Sequence, residues 1–311
     1  MNREISVIIP TYNYGRFLGA AIDGVLSQTL RPAELIVVDD GSTDDTESVI
    51  SRYLHDADGA DAVKIRYIKQ KNAGVCAARN RGVAESSGQF IAFADADDIW
   101  HPTKLEKQIV KFAQDENIGL VHCGISEFDS DTGETIGVNI DGMEGDVADE
   151  LLLWEQPAVN VSGTVLVVRR EAFDRVGGFD TEIKVGEDWD FCYRVAREFK
   201  VGFVPEALVD YRSHGASAHR NVAEMERGMT RFYEKAFASA DAETLKLRSR
   251  AYGNFHRVMS GSYFQAGNYK QFLKHAAKSI WNRPGNLGYF LRFPLRRLSG
   301  NPVATAPGSD K

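Results

Sequence analysis

Over the first hundred residues, short β-branched runs alternate with stretches whose apolar positions recur every three or four residues. Such alternation is what βα units leave behind when they stack on a largely parallel sheet. The runs at 5–9, 34–38, 64–68 and 89–93 predict strands. Between the first two, Phe17, Leu18, Ala21, Ile22, Val25 and Leu26 keep helical spacing over 17–29 until Arg31 and Pro32 stop it. Further helices are predicted over 46–54 and 77–84. Each strand ends in a polar cluster, and in an open α/β sheet that carboxyl edge binds ligands, because its loops and helix N-termini hold uncommitted N–H groups.

Past residue 100 the pattern loosens. It predicts a helix from 102 to about 114, a strand over 119–123, a polar glycine-containing stretch of weak periodicity over 129–149, a β-rich run at 163–168 and a helix over 188–198. From 221 onward the spacing is wholly helical, over 222–238, 242–264 and 269–281, with Arg283, Pro284 and Gly285 as a stop and a loose tail after 301. Three parts are expected: an α/β body over 1–218, a helical domain over 219–283 and a basic, aromatic tail over 284–311.

With 311 residues and 43% hydrophobic content, the composition is globular and excludes disordered or disulfide-scaffold classes. Cys76, Cys123 and Cys192 are odd in number and form no C-x-x-C pair, which fits a reducing compartment. No signal-like segment and no apolar run of about 20 residues is present, so the expectation is a cytoplasmic protein without a membrane span. Charge is uneven. Eleven Lys and Arg and no Asp or Glu lie within 244–309, so the rest carries −18 of the −7 total. The acidic body argues against nucleic acid, while the basic end invites an anionic surface.

Several clusters at the strand ends can do chemistry, each with a plainer alternative. Asp95 and Asp97 can approach one hard divalent cation, Mg²⁺ or Mn²⁺, held together with a diphosphate; otherwise they are a solvated acidic turn. Asp39 and Asp40 can accept protons from a base and ribose, or make a turn before Gly41. Asn72 and Gly74 followed by Arg79 suit phosphate or ribose contact, or are surface helix. Glu187 and Asp188 open a helix as reactive carboxylates or as capping acids, and His214 is a ligand or a structural imidazole.

Taken together, SVIIPTYN (6–13), VVDDGSTD (37–44), N-x-G (72–74) with ARN (78–80), FADADD (93–98), GGF (177–179) and Glu187-Asp188 resemble the family 2 glycosyltransferases of the GT-A fold, in that family's order and spacing over about residues 1–215. The resemblance implies an α/β, Rossmann-like mixed sheet with flanking helices, followed here by a small α-helical C-terminal region. It implies a nucleotide-diphospho-sugar donor, a UDP-sugar first, bound by Pro10, Thr11, Tyr12, Asp39, Asp40, Asn72, Gly74, Arg79, Asp95 and Ala96. Asp97 and His214 would ligate Mn²⁺ or Mg²⁺, Asp188 would be the catalytic base, and Gly163, Glu187 and Trp189 would line the acceptor or donor-sugar loop.

The implied activity is inverting transfer to a hydroxyl of a glycan or lipid-linked acceptor in bacterial cell-surface polysaccharide or lipopolysaccharide synthesis. Rival readings are a nucleotidyltransferase, which lacks its glycine-rich phosphate loop here, and an inactive assembly scaffold, which Asp97 and Asp188 argue against. Within the tail, Tyr289, Phe290, Arg292, Arg296 and Arg297 interleave rings with cations, and peripheral contact with an anionic membrane surface is expected there.

Overall fold

The first strand, β1 (Ile5–Thr11), and its neighbour β2 (Glu34–Asp39) are buried along their whole length, as continuous apolar runs covered on both faces must be. Each fully buried Ile, Val or Leu contributes roughly 1.5–3 kcal/mol, so these two strands anchor the sheet. The computed structural model describes residues 4–54, 63–214 and 221–298, with side chains described as far as 292. The chain divides into two compact units, Met1–Ala148 with Pro157–Gly215, and Asp149–Gln156 with Ala216–Lys311.

Up to residue 213 the elements run β1, α1 (Gly15–Leu26), β2, α2 (Thr46–Leu54), β3 (Lys64–Lys69), α3 (Val75–Ala84), β4 (Phe90–Phe93), β5 (Ile99–Trp100), α4 (Lys104–Phe112), β6 (Ile118–Asp129), β7 (Thr135–Asn139), α5 (Ala148–Leu153), β8 (Val167–Arg169), α6 (Arg170–Val176), α7 (Glu187–Glu198) and β9 (Lys200–Ser213), all in the first unit but α5, which belongs to the second from Asp149 on. Among the described residues the sheet has nine strands in the order β3-β2-β1-β4-β8-β6-β9-β5, with β7 on β6. β1, β2, β3 and β4 are mutually parallel, β8 runs antiparallel to both β4 and β6, and beyond it β6 and β9 are parallel while β5 and β7 pair antiparallel, which makes one mixed sheet. Order reverses at β1, between β2 and β4, which opens a crevice at the carboxyl ends of β1 and β4. The expected mixed α/β sheet is the one observed.

Several predicted elements change. The weakly periodic stretch after residue 129 contains β7, which pairs with an extension of β6 well past the predicted 119–123, and β9 lies where the pattern indicated no strand. The front of the predicted run at 163–168 is a 3-10 turn, Gly163–Val165, and only Val167–Arg169 is strand.

In the second unit α8 (Val222–Ala238), α9 (Ala242–Gln265) and α10 (Tyr269–Asn282) begin at Asn221, Asp241 and Asn268, whose side chains accept N–H bonds from Glu224, Thr244 and Gln271. Their core of Met229, Phe232, Tyr233, Phe255 and Met259 includes Leu151 and Leu152 from the Asp149–Gln156 segment; Tyr233 donates to the Leu152 carbonyl at 2.7 Å. A helix, α11 (Leu287–Leu298), follows where only a tail was read; the loose tail expected after 301 lies outside the described residues.

Candidate active site

The site's frame is a pair of tied loops. Asn13, with φ of 57°, follows β1; its N–H donates to Ser42 Oγ at 2.9 Å and its Oδ1 accepts the Thr43 N–H at 2.8 Å. The Gly15 N–H donates to Asp44 Oδ2 at 2.9 Å. The motifs at 6–13 and 37–44 therefore lock each other, which explains their polar composition beyond any ligand contact. Register places Thr11, Asp39 and Lys69 side by side at the carboxyl edge.

The aspartates after β2 are committed to this frame. Asp39 accepts from the Ser42 N–H at 2.7 Å and the Tyr67 hydroxyl at 2.6 Å. Asp40 accepts from Gln70 at 2.7 Å and from the Ala73 and Gly74 N–H groups at 2.9 and 2.7 Å, holding the loop that carries Asn72. Pro10, Thr11 and Ala96 are buried, whereas Tyr12, Asn72 and Gly74 are exposed at the edge, with Tyr12 at 46%. The Thr11 hydroxyl is buried without a hydrogen-bond partner.

Arg79 on α3 gathers the acidic residues. Its Nη1 donates to Asp188 at 2.8 Å and Glu187 at 3.2 Å, and its Nη2 to Asp95 at 2.9 Å, with 3% of the side chain exposed. Arg79, expected beside the nucleotide, is in this structure buried and paired with three carboxylates. The second oxygen of Asp188 accepts the Gly163 N–H at 3.0 Å. A Cβ on Gly163 would come within 2.5 Å of Arg79 Nη2, so glycine is what lets this backbone approach the guanidinium. Trp189 stands half-buried on the same first turn of α7.

One cation against three carboxylates leaves the cluster negative. Burial pushes Glu187 up to about 7, with the adjacent Asp188 charge adding to it and Arg79 opposing. Burial also raises Asp188, against the pull of Arg79. A second acidic focus lies at Asp97, whose Oδ2 is 2.9 Å from His214 Nε2, with side chains 21% and 5% exposed. Burial and then the Asp95 charge raise Asp97, so a cation there would relieve an existing imbalance. A carboxylate oxygen and an imidazole nitrogen meeting at one point suit a divalent ion that takes its remaining ligands from a diphosphate. Among the described residues, no group of three or more His, Cys, Asp and Glu could hold a metal by itself.

Four contributors escaped sequence reasoning. Arg212 donates from Nε to the Asp97 carbonyl at 2.8 Å and from its backbone N–H to Asp98 at 2.9 Å, fixing β9 two residues before His214. Tyr14 and Phe17 flank His214 with ring centroids 5.7 and 5.4 Å away. Ser162 reaches Asp95 at 3.5 Å. Only Arg212 left a signal, as a cation two residues before His214 in sequence.

The sheet and its flanking helices are those of the GT-A glycosyltransferases. Superposition on a Pyrobaculum calidifontis mannosyltransferase solved with GDP-Man and Mn²⁺ gives a TM-score of 0.64 over 96% of this chain and 83% of that one, at 17% identity. TarS of Staphylococcus aureus in complex with UDP gives 0.57 over 90% and 92%, at 15%. At such identities the likeness is one of fold. Residues 6–177 match the family model described as glycosyl transferase family 2, and the chain belongs to that family. An uncharacterised glycosyltransferase of Nostoc is 34% identical over 71% of this chain and 68% of its own length. One of Rickettsia prowazekii is 30% identical over 68% and 64%, so the matches span about two thirds of these relatives.

Proposed function

We propose that this family 2 glycosyltransferase moves a sugar, with inversion, from a nucleotide-diphospho-sugar to a hydroxyl of a glycan or lipid-linked acceptor, with Asp188 as the base. The observation that carries the reading is Asp188 itself, fixed through both oxygens by Arg79 and the Gly163 N–H at the carboxyl edge of the sheet. Two donors leave each carboxylate oxygen a further lone pair, so an acceptor hydroxyl can still hydrogen-bond to Asp188 and give up its proton there. Displacement from the opposite face needs no covalent nucleophile. In keeping with that, burial pushes the Cys76 and Cys123 thiols up to about 12 and about 11.

Tyr12 offers an exposed ring to the base, and the Asn72–Gly74 loop held by Asp40 offers polar groups to the ribose and phosphates. Asp97 and His214 would hold Mn²⁺ or Mg²⁺, which when bound stabilises the charge on the departing diphosphate. A UDP-hexose donor and a role in cell-surface polysaccharide synthesis on the cytoplasmic side complete the proposal. Solved relatives bind UDP in one case and GDP-Man with Mn²⁺ in another, which supports the donor class and the metal. The test is a thermal-shift screen of nucleotide sugars with Mn²⁺, followed by assay of nucleoside diphosphate release with candidate acceptors. Stabilisation by a UDP-sugar together with acceptor-dependent release of UDP is expected. Full activity in EDTA would remove the metal, and a preference for another base would replace UDP.

A further inference from the structure

The transfer chemistry leaves unused the outer face of α10. Tyr269, Leu273 and Trp281 are 58%, 65% and 87% exposed. With exposed Ala277 they recur every fourth residue, so they form one stripe along the helix. Lys270, Lys274 and Lys278 repeat the same spacing one position on and make a parallel basic stripe, also exposed. No ion pair among the described residues involves these three lysines, and no Asp or Glu occurs anywhere in 244–309 to supply one locally. The opposite face, with His275, Ala276 and Ser279, is buried. On α11, Leu287 and Leu291 are 48% and 70% exposed beside exposed Arg292.

We infer that this face of α10 docks the protein on an anionic lipid bilayer. Tyr269, Leu273 and Trp281 enter the interfacial layer while Lys270, Lys274 and Lys278 extend their ammonium groups to the headgroup phosphates. The helix lies in the plane of the surface. Its lysine stripe forbids burial, and no described helix is long and apolar enough to cross a membrane. Charge selects this occupant. A second copy seated on the same face by two-fold symmetry would set lysine rows against each other, whereas a bilayer offers a broad field of one opposite sign. The sequence pattern placed membrane contact in the tail around 289–298; the exposed stripe places it a helix earlier. This goes beyond the proposed transfer reaction, and its test requires no turnover.

The experiment is flotation of the full chain with vesicles of phosphatidylcholine alone and with phosphatidylglycerol added. Binding is expected only with the anionic vesicles, weakening as salt is raised. At about 1 kcal/mol per basic residue near such a surface, the triple variant K270Q/K274Q/K278Q should partition roughly 10²-fold less. Leu273→Ser with Trp281→Ser should abolish flotation, and Trp281→Ser alone should remove the blue shift of indole fluorescence on adding anionic vesicles. All these side chains are exposed, so circular dichroism and melting of the variants should match the parent, which separates lost docking from lost fold. Absence of binding to anionic vesicles, equal binding to neutral ones, or indifference to both sets of variants would overturn the inference. Retention on polyglutamate without vesicle binding would assign the face to an acidic polypeptide instead.

Discussion

A single guanidinium shared among Asp95, Glu187 and Asp188 decides how the site holds its protons. Because Glu187 is pushed up to about 7 and Asp188 is raised beside it, the pair keeps a proton until near neutrality, and its titration belongs to both carboxylates together. A base must be ionised to act, and burial raises Asp188, so kcat/KM should climb with pH along an acidic limb displaced above the ordinary carboxylate range. Glu187→Gln removes the neighbouring negative charge, so Asp188 should ionise more readily and the limb should move to lower pH. A pH–rate profile of both proteins decides this, and an unmoved limb would show that the two do not share a proton. Asp188→Asn keeps an acceptor for Arg79 but removes basicity. Turnover should fall by about 10²–10⁴-fold while calorimetry still shows donor binding. The Glu187-Asp188 motif was visible in the sequence; that one buried arginine serves both was not, because residues 79 and 188 meet only when α3 and α7 converge.

At the scale of elements, the short turn Gly163–Val165 matters more than its length suggests, since its first N–H holds Asp188 and its missing Cβ admits Arg79. Gly163→Ala should push the guanidinium away and lower kcat by 10-fold or more, with a smaller change in melting temperature, because a misplacement of about 1 Å at a catalytic group can cost 10²-fold. Beneath the site, α4 buries Lys104 completely; Nζ bonds Gln108 at 2.8 Å and lies 3.9 Å from the centre of the Trp100 ring. Burial lowers this lysine from 10.5 to about 8. The unfolded chain then binds the proton more tightly than the native one between those values, so this group makes stability rise with pH from about 8 to 10.5. Denaturant titrations across that window should show the rise flattened in Lys104→Met. Strands β1 and β2 and helix α1 were legible because their apolar periodicity is strong. β7 was not, since all five of its residues are exposed, and β9 was not, since Pro205 and Glu206 break its apolar run in two.

For the whole molecule, ligand binding and stability are linked. A donor with Mn²⁺ at a hundred times its Kd should stabilise the fold by about 2.7 kcal/mol, and EDTA should remove most of that gain if Asp97 and His214 hold the ion. Differential scanning calorimetry with donor alone, donor with Mn²⁺, and donor with EDTA would show it; equal shifts in all three would sink the metal assignment. The charge division belongs to this scale too. The acid-free end of the chain sits largely in the second unit, where Arg250 and Arg283 are paired with Glu155, a residue of the Asp149–Gln156 segment.

The sequence alone determined the alternation of strands and helices, the polar clusters at the strand ends and the capped helices after residue 221, because each depends on neighbours a few positions away. Family membership followed from those clusters in their order. Tertiary structure decided which clusters tie the frame and which stay exposed at the edge: Asp39 and Asp40 bond backbone and side chains within it, while Tyr12 and Asn72 stay open. It also decided that residues 149–156 leave one unit for the other, and that Arg79 is buried under the acids. Those outcomes depend on contacts between residues far apart in sequence, such as Arg79 and Asp188, 109 positions apart, which no local periodicity encodes.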